Sequence, residues 1–382
     1  MPAHDPTVVT ALRAVEDPVL RRSVVDLGMV AAADRDGSRV SVELALPLDE
    51  VAWPPDEVEG RVRAAALALP GVERVAVERR PMTDVEAKQA ARVLRGEPAE
   101  NPLTVVDAAA SPAPPPARRN PFTDAATRVL AISSGKGGVG KSSVSTNLAI
   151  ALAARGHRTA VLDADVWGFS LPRMLGVDHP PGLVDDIIVP PRPYGVELVS
   201  MGFFARDDQA VIWRGPMLHK ALEQFLTDVY WGDPEQLIVD LPPGTGDVAL
   251  SMAQLLPRAE VVVVTTPQPA AQRVAQRSAA MAERVNLPVI GVVENMSWFT
   301  GDDGQRYEIF GSGGGQALAD TLDVPLLGQV PLVSALRAGG DVGQPITVTE
   351  PESEAAQAFF AIAERIDALA PRRVRHPELR IS

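Results

Sequence analysis

Cysteine is absent from all 382 residues. Disulfides, thiol catalysis and thiolate-held metals therefore lie outside the chemistry of this chain. Equally missing is any run of about 18 uncharged apolar residues, the length that a membrane-crossing helix needs. The opening Met1-Pro2-Ala3-His4-Asp5-Pro6 has neither the basic stretch nor the apolar stretch of a secretion signal, which predicts a cytoplasmic protein. Positive charge is in deficit: 36 Lys and Arg stand against 49 Asp and Glu, a net charge of -13. A surface of that sign repels nucleic acid and anionic lipid as a whole, so neither DNA nor a membrane is an expected partner.

What is present describes a soluble globular chain. Hydrophobic residues make up 46% and charged residues 22%, enough apolar material for a substantial core. The length predicts two or three domains of roughly 150 residues each.

The most informative stretch is Gly135-Lys136-Gly137-Gly138-Val139-Gly140-Lys141-Ser142. It satisfies G-x-x-x-x-G-K-[ST], with the apolar run Arg128-Val129-Leu130-Ala131-Ile132 before it and a helical stretch from Val144 to Ala154 after it. Glycines let the backbone turn with positive φ and bring successive N–H groups to phosphate oxygens, while the positive end of the following helix dipole faces the anion. The loop from Gly135 through Ser143 is thus a candidate nucleotide cradle. Lys141 is placed to neutralise the β- and γ-phosphates, and the Ser142 hydroxyl to ligate Mg²⁺.

Short apolar runs alternate with helical stretches from Arg128 to about Ile346. They are Thr159 to Leu162, Val196 to Val199, Gln236 to Val239, Val261 to Val264, Val289 to Val293 and Leu326 to Gly328. Such runs suit strands buried on both faces, and the expected fold is α/β, a doubly wound, mostly parallel sheet. Ligands of that architecture sit at the carboxyl ends of the strands. There the chain places Asp163-Ala164-Asp165 after one run and Asp240-Leu241-Pro242-Pro243-Gly244-Thr245-Gly246-Asp247 after another. A carboxylate at the tip of a buried strand beside a phosphate loop can hold Mg²⁺, directly or through water, and orient an attacking water. Helix capping is the alternative reading for each aspartate.

Residues 1–97 read as a smaller N-terminal α/β domain. Val8, Leu12 and Val15 fit one helix face, Val40, Val42, Leu44 and Leu46 alternate as a strand, and a helix over Asp84 to Leu94 stops at Gly96. Asp17 and Asp26 suit caps or turns. A Pro/Ala-rich linker follows over 98–127, including Ser111-Pro112-Ala113-Pro114-Pro115-Pro116. The main domain runs over 128–370, ending in a helix whose Phe359, Ile362, Ala363, Ile366 and Leu369 share one face, and a basic, proline-broken tail occupies 371–382.

With its extra lysine, Lys136, the loop resembles the deviant P-loop of the MinD/ParA/Mrp class of dimeric ATPases. In that class this lysine reaches into the partner's nucleotide site, which implies a homodimer closing over ATP and Mg²⁺. Trp213-Arg214-Gly215-Pro216-Met217, the phrase from Leu237 to Asp247, and Glu294-Asn295-Met296-Ser297 are similar to the Mrp/ApbC branch in particular. The resemblance implies Asp240 as the Walker B residue and Asp163 and Asp165 as the first switch. Asp240, Asp163 and Ser142 would then serve Mg²⁺; Lys141, Lys136 and Asp165 would serve catalysis, Asp165 at the lytic water. Asn295 would read the adenine edge, with Gln329-Val330-Pro331 as the other wall of the base pocket. Asp17-Pro18, Asp26-Leu27-Gly28-Met29-Val30 and Pro70-Gly71-Val72 look like the small SufT/PaaD-type domain of iron-sulfur assembly factors.

Members of the Mrp/ApbC family are regarded as carriers of an iron-sulfur cluster bound between two protomers through C-x-x-C. Here the corresponding stretch reads Trp298-Phe299-Thr300-Gly301-Asp302-Asp303-Gly304-Gln305-Arg306-Tyr307, and the N-terminal domain likewise has Leu46-Pro47-Leu48-Asp49-Glu50 where relatives often carry a cysteine. A thiolate-bridged cluster cannot form on this chain, so no cluster ligand is assigned. Two readings follow. One is an ATP-hydrolysing iron-sulfur cluster carrier or assembly factor whose partners are assembly proteins or apo-protein clients. The other is a MinD/ParA-like switch in which ATP drives dimerisation for spatial organisation or regulation. The tail lacks the amphipathic membrane helix with which MinD ends.

Overall fold

The computed structural model describes residues 4–47, 55–97, 120–123, 126–166, 168–204, 215–244 and 246–369. The linker expected over 98–127 falls largely, and the tail over 371–382 entirely, outside them. The chain divides into two units: Met1–Arg118 with His179–Pro190 and Asp228–Gly232, and Arg119–Asp178 with Pro191–Thr227 and Asp233–Ser382.

The first unit begins with α1 (Pro6–Leu12), β1 (Val30–Asp36), β2 (Arg39–Leu46), α2 (Pro55–Leu67), β3 (Arg74–Pro81) and α3 (Asp84–Leu94). Asp5 starts α1 by accepting from the Thr7 and Val8 amides at 2.8 and 3.1 Å, with Pro6 preset for the first turn. The helix stops at Leu12, short of Val15. Val15 is buried from the following turn, where its carbonyl accepts from the Val24 amide. Asp17 is fully buried and accepts from the Val19 and Leu20 amides, a turn-forming side chain; Asp26 lies at the surface near Arg13. β2 is central, antiparallel to β1 and parallel to β3, and its alternate Val40, Val42 and Leu44 enter the core.

The second unit carries β4 (Arg128–Ser134), α4 (Lys141–Ala154), β5 (Thr159–Asp163) and α5 (Leu171–Met174). A hairpin of β6 (Gly182–Val184) and β7 (Ile187–Val189) comes next in the chain, then β8 (Val196–Ser200), α6 (Gly215–Asp228), β9 (Gln236–Asp240) and α7 (Gly246–Leu255). The remainder is β10 (Glu260–Thr265), α8 (Pro269–Arg284), β11 (Val289–Asn295), the two-residue strands β12 (Phe299–Thr300) and β13 (Arg306–Tyr307), α9 (Gly314–Leu322), β14 (Leu326–Val330), α10 (Ser334–Asp341), α11 (Ile346–Thr349) and α12 (Glu354–Ala368).

Seven strands form one sheet in the order β14-β11-β10-β4-β9-β5-β8, and every pairing in it is parallel. All residues of β5, β8, β9, β10 and β11 are buried, as continuous apolar runs require when helices cover both faces. Leu130, Ile132, Val262 and Val264 join α4 and α12 in one core, which leaves the alternating residues to the face of α7 and α8. The expected doubly wound fold with a smaller N-terminal α/β region is thus present. No described helix is long and apolar enough to cross a membrane.

The hairpin β6–β7 was not legible as an element, and it belongs with the first unit. Val184, Ile187 and Val189 join the core of the N-terminal elements, Asp186 pairs with Arg95, and the Tyr230 hydroxyl donates to the Leu20 carbonyl at 2.9 Å. The start of α3 is set by a capping box between Thr83 and Glu86, and Arg80 ties Glu86 to Glu43. The hydrogen bond from Arg80 holds the Glu86 carboxyl down at about 2, from an ordinary 4.5. That stabilisation is complete above pH 4.5 and is lost as the pH falls toward 2. Glu86→Gln should therefore destabilise the first unit by about 1 kcal/mol at neutral pH. In denaturant titrations across pH, wild type and variant should converge through that acidic window; a constant gap would show that the charge is not responsible.

Candidate nucleotide site

β4 lies between β9 and β10. The chain leaves it through α4 to β5, beyond β9, and later crosses from β9 through α7 to β10 on the other side. The sheet order therefore reverses beside β4, which opens a crevice at the strand ends. The P-loop occupies that crevice. Gly138 and Gly140 both adopt φ of +81°, and Gly140 caps α4 without any side-chain hydrogen bond. The first amides of a 14-residue helix thus face the loop uncapped.

Lys141 is 6% exposed, and its Nζ lies 2.6 Å from Asp240 Oδ2 and 3.7 Å from Asp165 Oδ2. Ser142 Oγ donates to the same Asp240 oxygen at 2.7 Å, while Ser145 Oγ donates to Asp240 Oδ1. Asp240 and Asp163 are paired neighbours at the ends of β9 and β5, both without solvent exposure. Asp163 accepts from the Asp165, Ser170 and Leu171 amides and from the Ser200 hydroxyl, at 3.1 to 3.2 Å. It therefore fastens the segment that carries Asp165 to the sheet. Burial, and then the charge of Asp240, push the Asp163 carboxyl up to about 7.

Asn295 and Pro331, expected at the base, come from the neighbouring strands β11 and β14. Asn295 ends β11 and Val330 ends β14 directly opposite it, so Pro331 emerges beside Asn295. Asn295 Nδ2 donates to the Val139 carbonyl of the P-loop at 2.9 Å, and its buried Oδ1 has no hydrogen-bond partner among the described residues. Lys136 Nζ donates to Gln268 Oε1 at 3.2 Å. Trp213 and Arg214 lie outside the described residues.

The geometry suits a magnesium nucleotide: an uncapped helix start for phosphate, a lysine and a hydroxyl aimed at one buried carboxylate, and an orphaned acceptor fitted to an exocyclic amino group.

Family models agree over both parts of the chain. Residues 125–367 match the model described as NUBPL iron-transfer P-loop NTPase, and residues 5–78 match that of an iron-sulfur cluster assembly protein. The chain belongs to the NUBPL iron-transfer P-loop NTPase family. It is 46% identical to the iron-sulfur cluster carrier protein of Mycobacterium tuberculosis, over 95% of this chain and 92% of that relative. Among solved structures, the nucleotide-binding protein of Archaeoglobus fulgidus in complex with ADP is 32% identical, with a TM-score of 0.52 over 61% of this chain and 91% of that one. The cell division ATPase MinD of Pyrococcus furiosus is 27% identical, with a TM-score of 0.50 over 64% and 99%.

Several residues of this family member escape a sequence reading. Ser145 could have been found from its spacing, four residues beyond Lys141 on one helix face. Glu294 is fully buried, accepts from Gln329 Nε2 at 2.7 Å and from the Gly315 amide, and so fixes the start of α9 to the end of β11. No local pattern announces that contact. Asp302 and Asp303 sit in the turn between β12 and β13, where Asp303 accepts from the Gln305 amide and the Tyr307 hydroxyl. Among the described residues no group of three or more carboxylates and histidines is arranged to hold a metal ion by itself.

The P-loop also meets α8 very closely. A Cβ built on Gly135 would lie 2.3 Å from the Val274 carbonyl carbon, whereas one on Gly137 would meet nothing within 4 Å. Gly135→Ala should cost about 1–3 kcal/mol and lower the melting temperature by roughly 3–10 °C. Gly137→Ala should stay within about 2 °C of wild type. Equal melting temperatures for the two variants would contradict the packing described.

Proposed function

We propose that this chain is an ATP-binding, Mg²⁺-dependent ATPase that acts as a homodimer in the carriage and assembly of iron-sulfur clusters. The observation that carries the catalytic half is the convergence of Lys141, Ser142 and Ser145 on Asp240 beside the uncapped start of α4. The names of the curated relatives and the two family models support the cluster half. Its cellular setting would be the cytoplasm.

Lys141 would exchange its contact with Asp240 for the β- and γ-phosphates, guided by the P-loop amides from Gly137 to Ser143. Ser142 Oγ would hold Mg²⁺, with Asp240 and Asp163 acting through its water shell, because Asp163 already serves four donors of the chain. Bound Mg²⁺ supplies charge neutralisation of the phosphates. Asp165, 7% exposed at the rim of the site, would orient the attacking water and draw on its proton. Asn295 Oδ1 would accept from the adenine amino group, with Pro331 against the ring. Lys136 would leave Gln268 to reach the nucleotide of the second protomer.

The cluster is cargo. Because the chain has no cysteine, its thiolates must come from assembly proteins or apo-protein clients. ATP would then set the dimer state to which such a partner binds.

Lys141→Ala should lower Mg²⁺-dependent turnover by at least ~10²-fold. It also strands a buried carboxylate, so circular dichroism must accompany it. Ser142→Ala, a milder change, should raise the Mg²⁺ concentration needed for half-maximal rate. Unchanged turnover in a folded Lys141→Ala protein would refute the catalytic assignment. Anaerobic treatment with iron and sulfide should leave no visible chromophore on the desalted chain alone, and a retained cluster would overturn the assignment of ligands to the partner.

A further inference from the structure

A cavity of about 250 Å³ lies beneath the P-loop, on the opposite face of the sheet from α4. Ser133 and Val261 line it, alternating along their strands with Ile132 and Val262, which pack toward α4 and α12. None of Lys141, Ser142, Asp163, Asp165, Asp240 or Asn295 borders it. Of the nucleotide cradle only Gly135 borders it, so it is an adjoining space, of a size near the lower end of small-molecule sites, about 300 Å³.

Its lining is divided by chemistry. Val248, Val261, Met281 and Leu287 give apolar walls. The polar side chains are Ser133, Ser278 and Arg277. Ser133 Oγ and Ser278 Oγ share one hydrogen bond of 2.8 Å, and two hydroxyls joined by a single bond leave one O–H without an acceptor. Arg277, exposed at the rim, makes no hydrogen bond or ion pair among the described residues. Among the described residues no carboxylate borders the cavity to answer that charge. An apolar chamber ending in a guanidinium and a spare hydroxyl proton complements a carboxylate with a hydrocarbon body.

The same walls belong to the nucleotide loops. Gly135 opens the P-loop and rests on the α8 backbone at Val274 and Ala275, with no room for a methyl group between them. Leu241, Pro242 and Gly244 directly follow Asp240, and the Gly244 amide donates to the Ser134 carbonyl at 3.1 Å. An occupant would touch both α8 and the loop after β9, the two elements on which the first glycine is seated.

We propose that this cavity binds a small amphipathic carboxylate, with its head at Arg277 and the Ser133–Ser278 pair and its body against Val261, Met281 and Leu287, and that its occupancy alters nucleotide affinity. Binding is read without nucleotide, so it stands or falls apart from the hydrolysis assignment.

The test is calorimetric titration of the full chain with octanoate, with octanamide as the uncharged comparison. Saturable octanoate binding should be about tenfold tighter than octanamide binding, the size of one charge-assisted contact. Arg277→Ala should erase that preference, and Ala249→Phe, which fills the chamber from its wall, should abolish binding of both compounds. Saturating octanoate should shift the ADP dissociation constant by about fivefold or more, and not in Arg277→Ala. The proposal is overturned by absence of saturable octanoate heat, by equal binding of octanamide, or by full octanoate binding in the variants. Octanoate binding with unchanged ADP affinity overturns the regulatory part. If Ala249→Phe fails to fold, Arg277→Ala, at an exposed position, decides the matter alone.

Discussion

The contact between Lys141 and Asp240 organises everything around it. Two carboxylates, Asp163 and Asp240, end neighbouring strands without solvent exposure, an arrangement that costs several kcal/mol per ion unless positive charge and hydrogen bonds answer it. Lys141 supplies the charge, Ser142 and Ser145 supply donors to Asp240, and the amides of Asp165, Ser170 and Leu171 supply donors to Asp163. Burial still pushes Asp163 up to about 7. The protein thus holds two buried carboxylates around a single lysine, and the magnesium nucleotide proposed above would offer that lysine an alternative partner while bringing a cation to the carboxylates.

Close packing makes such a site responsive. Gly135 is pressed on α8, Gly140 is pressed on the Asn295 side chain, and Gly315 is pressed on Glu294. Glu294 and Asn295 are consecutive, one bound to the start of α9 and the other to the P-loop carbonyl of Val139. The P-loop, β11 and α9 are therefore joined by one continuous set of contacts, with the β12–β13 hairpin lying between β11 and α9 in the chain. Interfaces without slack shift as units rather than deforming gradually.

How legible this was depended on sequence distance. The phosphate loop is eight contiguous residues between a strand and a helix, so the chain displays it whole. The sheet was legible because strands buried on both faces are written as unbroken apolar runs, and Asp163, Asp165 and Asp240 stand at the ends of two of them. Ser145 required only the turn of a helix. Glu294 with Gly315, and the β6–β7 hairpin with the N-terminal core, join residues 21 and about 100 or more positions apart. Three-residue strands carry no measurable period, and their apolar residues look like loop until the core that buries them is known. Val15 shows the converse error: a helical spacing was satisfied by a residue buried from a turn.

The absence of cysteine makes sense only if hydrolysis and ligation are separable. The nucleotide machinery rests on oxygen and nitrogen groups and on backbone amides, none of which a cluster would use. The stretch after Asn295 keeps a folded hairpin without thiols: Arg306 lies 4.2 Å over the Trp298 ring and pairs with Glu354, while Tyr307 donates to Asp303. Side-chain contacts alone thus hold the shape of the loop. A hairpin held by its own contacts keeps its shape without metal, consistent with the proposal that the cluster's ligands come from a partner protein.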